Sequence, residues 1–217
     1  MSGLVEPIRI FPLGEVVLFP DTLLPLHIFE PRYRQLLADA MASDRRIGMV
    51  LIRRDTAPPE TPAPDLYQVG CAGRVAEHQP LPDGRSIIVL RGVLKFRIRR
   101  ELTTEEPYRL VEAQMLHEPP VPAEHTRRWR DELRERLTAY VKSISGDIEA
   151  IEKLFERVQL ERLINYLSAS LPLEVLEKQS LLECATVEQR FYRLCEIMEF
   201  KAAEARLGLD SARGLDA

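Results

Sequence analysis

Phe19-Pro20-Asp21-Thr22-Leu23-Leu24-Pro25-Leu26-His27-Ile28-Phe29-Glu30-Pro31-Arg32-Tyr33 joins a compact run of strand-like residues to a helix that opens on proline. Pro31 suits the first turn of a helix, where its missing N–H would be unpaired anyway, so the spacing predicts a helix from Pro31 to about Ala42. Leu36 and Leu37 follow Tyr33 at i+3 and i+4, which sets an apolar stripe for packing on a sheet. A strand is expected next, Gly48-Met49-Val50-Leu51-Ile52.

Working outward, the first half of the chain repeats with a period of two, as strands with one buried face do. Tyr67, Val69, Cys71, Gly73 and Val75 alternate with Gln68, Gly70, Ala72, Arg74 and Ala76. Pro82-Asp83-Gly84 supplies a hairpin turn before Ile87-Ile88-Val89-Leu90. Leu94, Phe96 and Ile98 fall on one face of a further strand, with Lys95, Arg97 and Arg99 on the other, and Tyr108 to Leu116 alternates again. The stretch from Ala57 to Pro64 holds four prolines and reads as a mobile loop.

At Glu118-Pro119-Pro120-Val121-Pro122 the period lengthens to helical spacing, which marks the expected domain boundary. Trp129, Leu133, Leu137, Tyr140, Val141 and Ile144 share a helix face that Ser145-Gly146 should end, and Asp147 can cap the next helix. The stripe Ile151, Leu154, Phe155, Val158 is offset from Leu160, Leu163, Ile164, Leu167, which implies a break near Gln159 or a helix buried on two sides. Pro172 should start a short helix, and Thr186 with Gln189 matches a capping box. The expected organisation is a β domain over 6–118, a helical subdomain over 123–206 and a frayed tail over 207–217.

Bulk composition removes several functions. Residues 1–122 carry 15 basic and 16 acidic side chains and residues 123–217 carry 15 and 18, so neither half is an electrostatic footprint for nucleic acid. No window approaches the ~18 uninterrupted apolar residues of a membrane span. Residues 1–9 lack the basic-then-apolar order of a signal peptide, so a cytoplasmic protein with no membrane partner is expected. Cys71, Cys184 and Cys195 are distant and odd in number, and read as buried thiols rather than disulfides or zinc ligands. There is no G-x-x-x-x-G-K-[ST], no G-x-S-x-G, no S-x-x-K and no H-E-x-x-H, and the histidines at 27, 78, 117 and 125 have no partners at ligand spacing. No catalytic residue, metal or cofactor is therefore assigned.

Four side chains remain as a candidate binding site: His27, Glu30, Arg32 and Tyr33. His27 and Glu30, three apart, could do acid–base work. Commoner roles are favoured: Glu30 near the positive end of the helix dipole and His27 against a neighbouring strand. Arg32 beside Tyr33 has the composition of an interface hot spot, although Tyr33, Leu36 and Leu37 also fit plain packing. Lys95, Arg97, Arg99 and Arg100 could meet phosphates, but Glu101, Glu105 and Glu106 dilute them, and a solvated sheet edge is favoured. Gly70-Cys71-Ala72-Gly73 matches a KH-type G-x-x-G only superficially, since it lies within a strand, where a bulge or close backbone contact is expected.

The opening stretch, together with several later segments, resembles the LON substrate-binding domain found at the front of Lon proteases, in RING-finger LON proteins and in cereblon. The segments are Phe11-Pro12-Leu13, Arg46-Ile47-Gly48-Met49-Val50, Leu66-Tyr67-Gln68-Val69-Gly70, Leu81-Pro82-Asp83-Gly84-Arg85 and Glu177-Lys178-Gln179-Ser180-Leu181-Leu182-Glu183. The likeness spans about residues 6–200. It implies an α+β fold, a PUA-like β pseudo-barrel followed by an all-α bundle. It also implies a non-enzymatic binding module for unfolded peptide segments or a protein partner, linked to protein quality control. An RNA-binding PUA-like protein is the alternative, disfavoured by charge, and a hydrolase with an unrecognised site ranks third.

Overall fold

In the computed structural model, which describes residues 4–53, 64–144 and 148–213, strands β1 (Val5–Leu13), β2 (Leu23–Ile28), β3 (Arg46–Leu51), β4 (Val69–Pro80), β5 (Ser86–Leu102) and β6 (Arg109–Leu116) make one mixed sheet. The helices are α1 (Pro31–Met41), α2 (Ala123–Ser143), α3 (Ile148–Arg157), α4 (Leu160–Ser170), α5 (Val175–Glu183) and α6 (Val187–Arg213). The chain divides into two compact units: one runs to His117 and takes in Ala169–Glu183, and the other holds Glu118–Ser168 and the chain from Cys184 onward. Helix α5 thus belongs with the sheet, where the sequence reading placed all of 123–206 in one bundle. The segments Ala57–Ala63 and Ser145–Asp147 of the sequence reading lie outside the described residues.

Strand β5 is 17 residues long and serves two neighbours in turn. Its first part pairs with β2, from Ile28↔Ser86 to Leu23↔Arg91, and its second with β6, from Lys95↔Leu116 to Leu102↔Leu110. The sheet order β2-β5-β4-β3-β1-β6 with the added β5–β6 pairing makes a near-closed ring, with β2 appended at a free edge. The β1–β3 pair alone is parallel, because the chain returns through β2 and α1 before entering β3. The sequence-based strand at Gly48–Ile52 begins two residues earlier, at Arg46.

Phe96 fills the ring among Ile8, Ile10, Val50, Ala72 and Val111. Its size dictates small neighbours. A Cβ on Gly70 would stand 2.8 Å from the Phe96 ring and 2.4 Å from the Met49 carbonyl oxygen, so this glycine is required by close backbone approach. That is also the answer to the G-x-x-G resemblance: the segment is strand interior, with a register shift between Ala72 and Gly73.

Two period-two expectations fail here. Val69 to Gly73 is buried on both faces, because β4 has the filled ring on one side and α5 packed against it, with Gln179 donating to the Val69 carbonyl at 3.0 Å. Lys95, expected on a solvated face, is only 1% exposed; it stands opposite the buried Cys71 on β4.

Local signals held where they were local. Helix α1 begins at Pro31 and buries Tyr33, Leu36, Leu37 and Ala40. The turn after β4 closes with Leu81 N–H donating to the Arg85 carbonyl at 2.8 Å, and Gly84 takes the positive φ of 79°. In the helical unit Trp129, Leu133, Leu137 and Tyr140 are buried, and Trp129 stacks on Phe191 at 5.1 Å. The break at Gln159 is real: α3 ends at Arg157, where Arg130 donates to the Phe155 and Val158 carbonyls at 2.5 and 2.6 Å. At α6 the Gln189 N–H donates to Thr186 Oγ1 at 3.2 Å, while the Gln189 side chain reaches back to the Ala185 N–H. The short helix α5 starts at Val175 rather than Pro172, its entry fixed by Glu174 N–H donating to Glu177 at 2.7 Å. Helix α6 continues to Arg213, past the expected fraying point.

Of the three thiols, Cys71 and Cys195 are buried and Cys184 is half-exposed, correcting the expectation of three buried groups. Burial, with Glu132 nearby, pushes the Cys195 thiol up to about 12. Because the thiolate is the nucleophile, iodoacetamide at neutral pH should modify Cys184 first and Cys195 only in denaturant, as read by peptide mass spectrometry. Equal native labelling of both would contradict the packing around Cys195.

Candidate functional site

Where α1 meets the end of β1 and the β5–β6 turn, the first unit carries a cleft of about 680 Å³. Its lining includes Pro12, Leu13, Ile52, Leu102 and Pro107 as apolar surface, with Glu30, Arg32, Glu101, Glu106 and Arg109 as charged groups. A mixed, concave site of this size is of the kind that takes a ligand segment.

Three of the four sequence-derived residues meet in it. Tyr33 is only 5% exposed, its ring 4.1 Å from that of Phe11, so it forms part of the packed wall. Burial raises its phenol pKa, Arg32 and Arg109 oppose that shift, and Glu30 adds to it. The Arg32 guanidinium lies 4.5 Å over the Tyr33 ring and is held there by Glu30, at 2.9 Å from Nε and 2.8 Å from Nη2. Glu30 sits at the N-cap of α1 but gives no side-chain cap bond, its carboxylate being turned to Arg32. His27 is elsewhere: it is exposed on β2 opposite Ile87, its ring 5.7 Å from that of Phe29. His27 and Glu30 therefore do not form an acid–base pair.

The other side of the cleft was not found from sequence. Arg109 donates to both oxygens of Glu101, at 2.8 and 2.7 Å, and to the Pro64 carbonyl at 2.8 Å. Tyr108 donates to Asp39 at 2.7 Å. These residues lie some seventy positions from Arg32, and the sequence holds one signal that could have found them, the break between the two alternating runs on either side of them. Among the basic residues singled out earlier, Arg100 faces Glu112 at 2.9 Å and Arg99 donates to Gln114, so no continuous phosphate track forms on that strand. Among the described residues, no group of three or more His, Cys, Asp or Glu could hold a metal ion, and no helix is long and apolar enough to cross a membrane.

A near-closed mixed sheet followed by helices, with a cleft beside the first helix, defines the chain as an α+β protein. The family model of the ATP-dependent protease La (LON) substrate-binding domain matches residues 7–199, and the chain belongs to that family. It is 27% identical over 190 residues to the Lon protease of Azospirillum brasilense, covering 87% of this chain and 23% of that protein. It is 28% identical over 182 residues to Lon protease 2 of Syntrophobacter fumaroxidans, covering 84% and 23%. The chain thus spans about a quarter of the length of these relatives. Among solved structures it is similar to the N-terminal domain of Mycobacterium avium complex Lon protease, with a TM-score of 0.70 and 16% identity over 89% of this chain and 98% of that one. A Lon N-terminal domain protein from Xanthomonas campestris matches with a TM-score of 0.63 and 21% identity over 87% and 96%.

Proposed function

We propose that this protein is a non-enzymatic binding module that takes exposed, unfolded peptide segments in the cleft between Arg32 and Arg109. The observation that carries the reading is the cleft itself: apolar walls framed by two arginines, each already held in place by its own carboxylate. Prefixed arginines lose little freedom on binding, so a peptide gains contact at low ordering cost. The family's description as a substrate-binding domain supports the same direction. Proteolysis by the longer relatives is not carried over, since this chain has none of the nucleotide or nucleophile motifs sought above.

The test is a pair of titrations at low and moderate salt, one with labelled peptides from unfolded proteins and one with a labelled RNA pool. Peptide affinity should persist as salt rises, because apolar burial is insensitive to it, whereas RNA binding should be weak and fall steeply. Arg32→Ala should weaken peptide binding by about tenfold, the size of a central arginine contact. RNA bound more tightly than peptide at moderate salt would replace this reading with the nucleic-acid one.

A further inference from the structure

Elsewhere on the sheet, arginines meet carboxylates: Arg100 faces Glu112, Arg109 binds Glu101, and Arg46 binds Glu6 and Asp44. Arg74 and Arg91 have another arginine for a cross-strand neighbour. They are directly opposite in the β4–β5 ladder, and Arg46 is opposite Arg74 on the next strand. Both Arg74 and Arg91 are exposed, and neither has an ion-pair partner among the described residues. Like charges directly across a strand pair repel at a Cβ separation of roughly 5 Å. In a chain of net charge −4 such a pairing is conspicuous, and an anionic group between the two guanidiniums would relieve it.

The surroundings say what kind of anion. Leu23 on β2 is the next residue across from Arg91 and is 58% exposed, with Ile87 at 41% and Val93 at 48% on the same strand as Arg91. In the ladder Pro25 faces Val89 and His27 faces Ile87, so aliphatic side chains stand next to the two arginines and the His27–Phe29 ring pair lies farther along β2. This surface shares no residue with the cleft lining. Nucleic-acid sites interleave basic side chains with aromatic stacking platforms; here the residue opposite Arg91 is the aliphatic Leu23, with His27 four residues further along β2, and aliphatic side chains directly beside arginine fit a protein partner.

We propose that the outward face of β2, β5 and β4 around Arg74 and Arg91 docks a partner-protein segment in which acidic and apolar side chains alternate. A carboxylate would sit between the guanidiniums, and the apolar residues would cover Leu23, Ile87 and Val93. Pro25 removes one backbone donor from the β2 edge, so side chains of this face carry the recognition.

The probes are three labelled synthetic peptides of equal length, alternating Leu with Glu, with Gln or with Lys, titrated against the full chain at low salt. The Leu–Glu peptide should bind at least tenfold more tightly than the other two, the effect of one well-made charge-assisted contact. Arg74→Gln and Arg91→Gln should each remove about tenfold while thermal unfolding shows a folded protein, and amide shifts on adding the peptide should centre on β2 and β5. Equal affinity for the Gln peptide, unchanged binding in the folded double variant, or shifts centred on residues 101–109 would each overturn the proposal. So would an RNA pool that outcompetes the Leu–Glu peptide at moderate salt.

Discussion

Phe96→Ala is expected to destabilise the first unit by about 3–5 kcal/mol, the usual loss for emptying a fully buried aromatic site. Phe96 is 0% exposed at the centre of the ring, and its neighbours cannot move in to fill the space. Gly48 and Gly70 have no side chains to offer, and Ala72 has one methyl. Backbone closed on itself by the β5–β6 pairing collapses poorly, so the cavity term should be near its upper range. Against a total stability of roughly 5–15 kcal/mol, the variant would be marginal. Urea unfolding followed by circular dichroism is the measurement, with Ile98→Ala, which is only partly buried, as a milder comparison. A loss for Phe96→Ala no greater than that for Ile98→Ala would mean that the ring is not packed around this residue.

What the sequence disclosed, and what it withheld, divides along the range of the interactions involved. Pro31, the Leu81–Arg85 turn and the Thr186–Gln189 cap act within a few residues, and each lay where its local chemistry put it. The alternation of Val111, Ala113 and Met115 was legible because β6 buries one face. The burial of Lys95 was not, since a period-two pattern places a basic residue on the open face and only the folded chain covers it. Helix α5 reads like any other helix of the second half, and its packing on β4, which includes Gln179 donating to Val69 110 positions away, ties it to the sheet. Of the four residues singled out from sequence, Glu30, Arg32 and Tyr33 line the cleft, and His27 faces the neighbouring strand, as the commoner role favoured for it has it. An odd position on β2 turns His27 outward onto the Arg91 face, on a different surface from the helix start. Glu101 looked like diluting charge and Arg109 drew no notice, because their mutual pairing forms only when β5 and β6 close the ring.

In the helical unit, Glu118→Ala is expected to cost about 3–5 kcal/mol, because it strips a buried guanidinium of its counter-ion. Arg190 is 0% exposed; it donates to the two oxygens of Glu118 at 2.6 and 3.2 Å and to Asn165 at 2.7 Å. That network fastens the start of the helical segment to α4 and α6, so its loss should loosen the packing around Trp129 and Phe191. The chain's one tryptophan therefore reports on this unit, and its fluorescence during thermal unfolding is the readout. The paired replacement Glu118→Leu with Arg190→Met removes both charges together, so neither of these two is left facing the other's empty place. Desolvating two charges offsets much of their attraction, so the double variant should be more stable than Glu118→Ala even though it lacks the whole ion pair. If the double variant instead unfolds at or below the temperature of Glu118→Ala, the ion pair contributes more than mutual compensation of buried charge, and Asn165 with its neighbours must depend on the guanidinium for their own alignment.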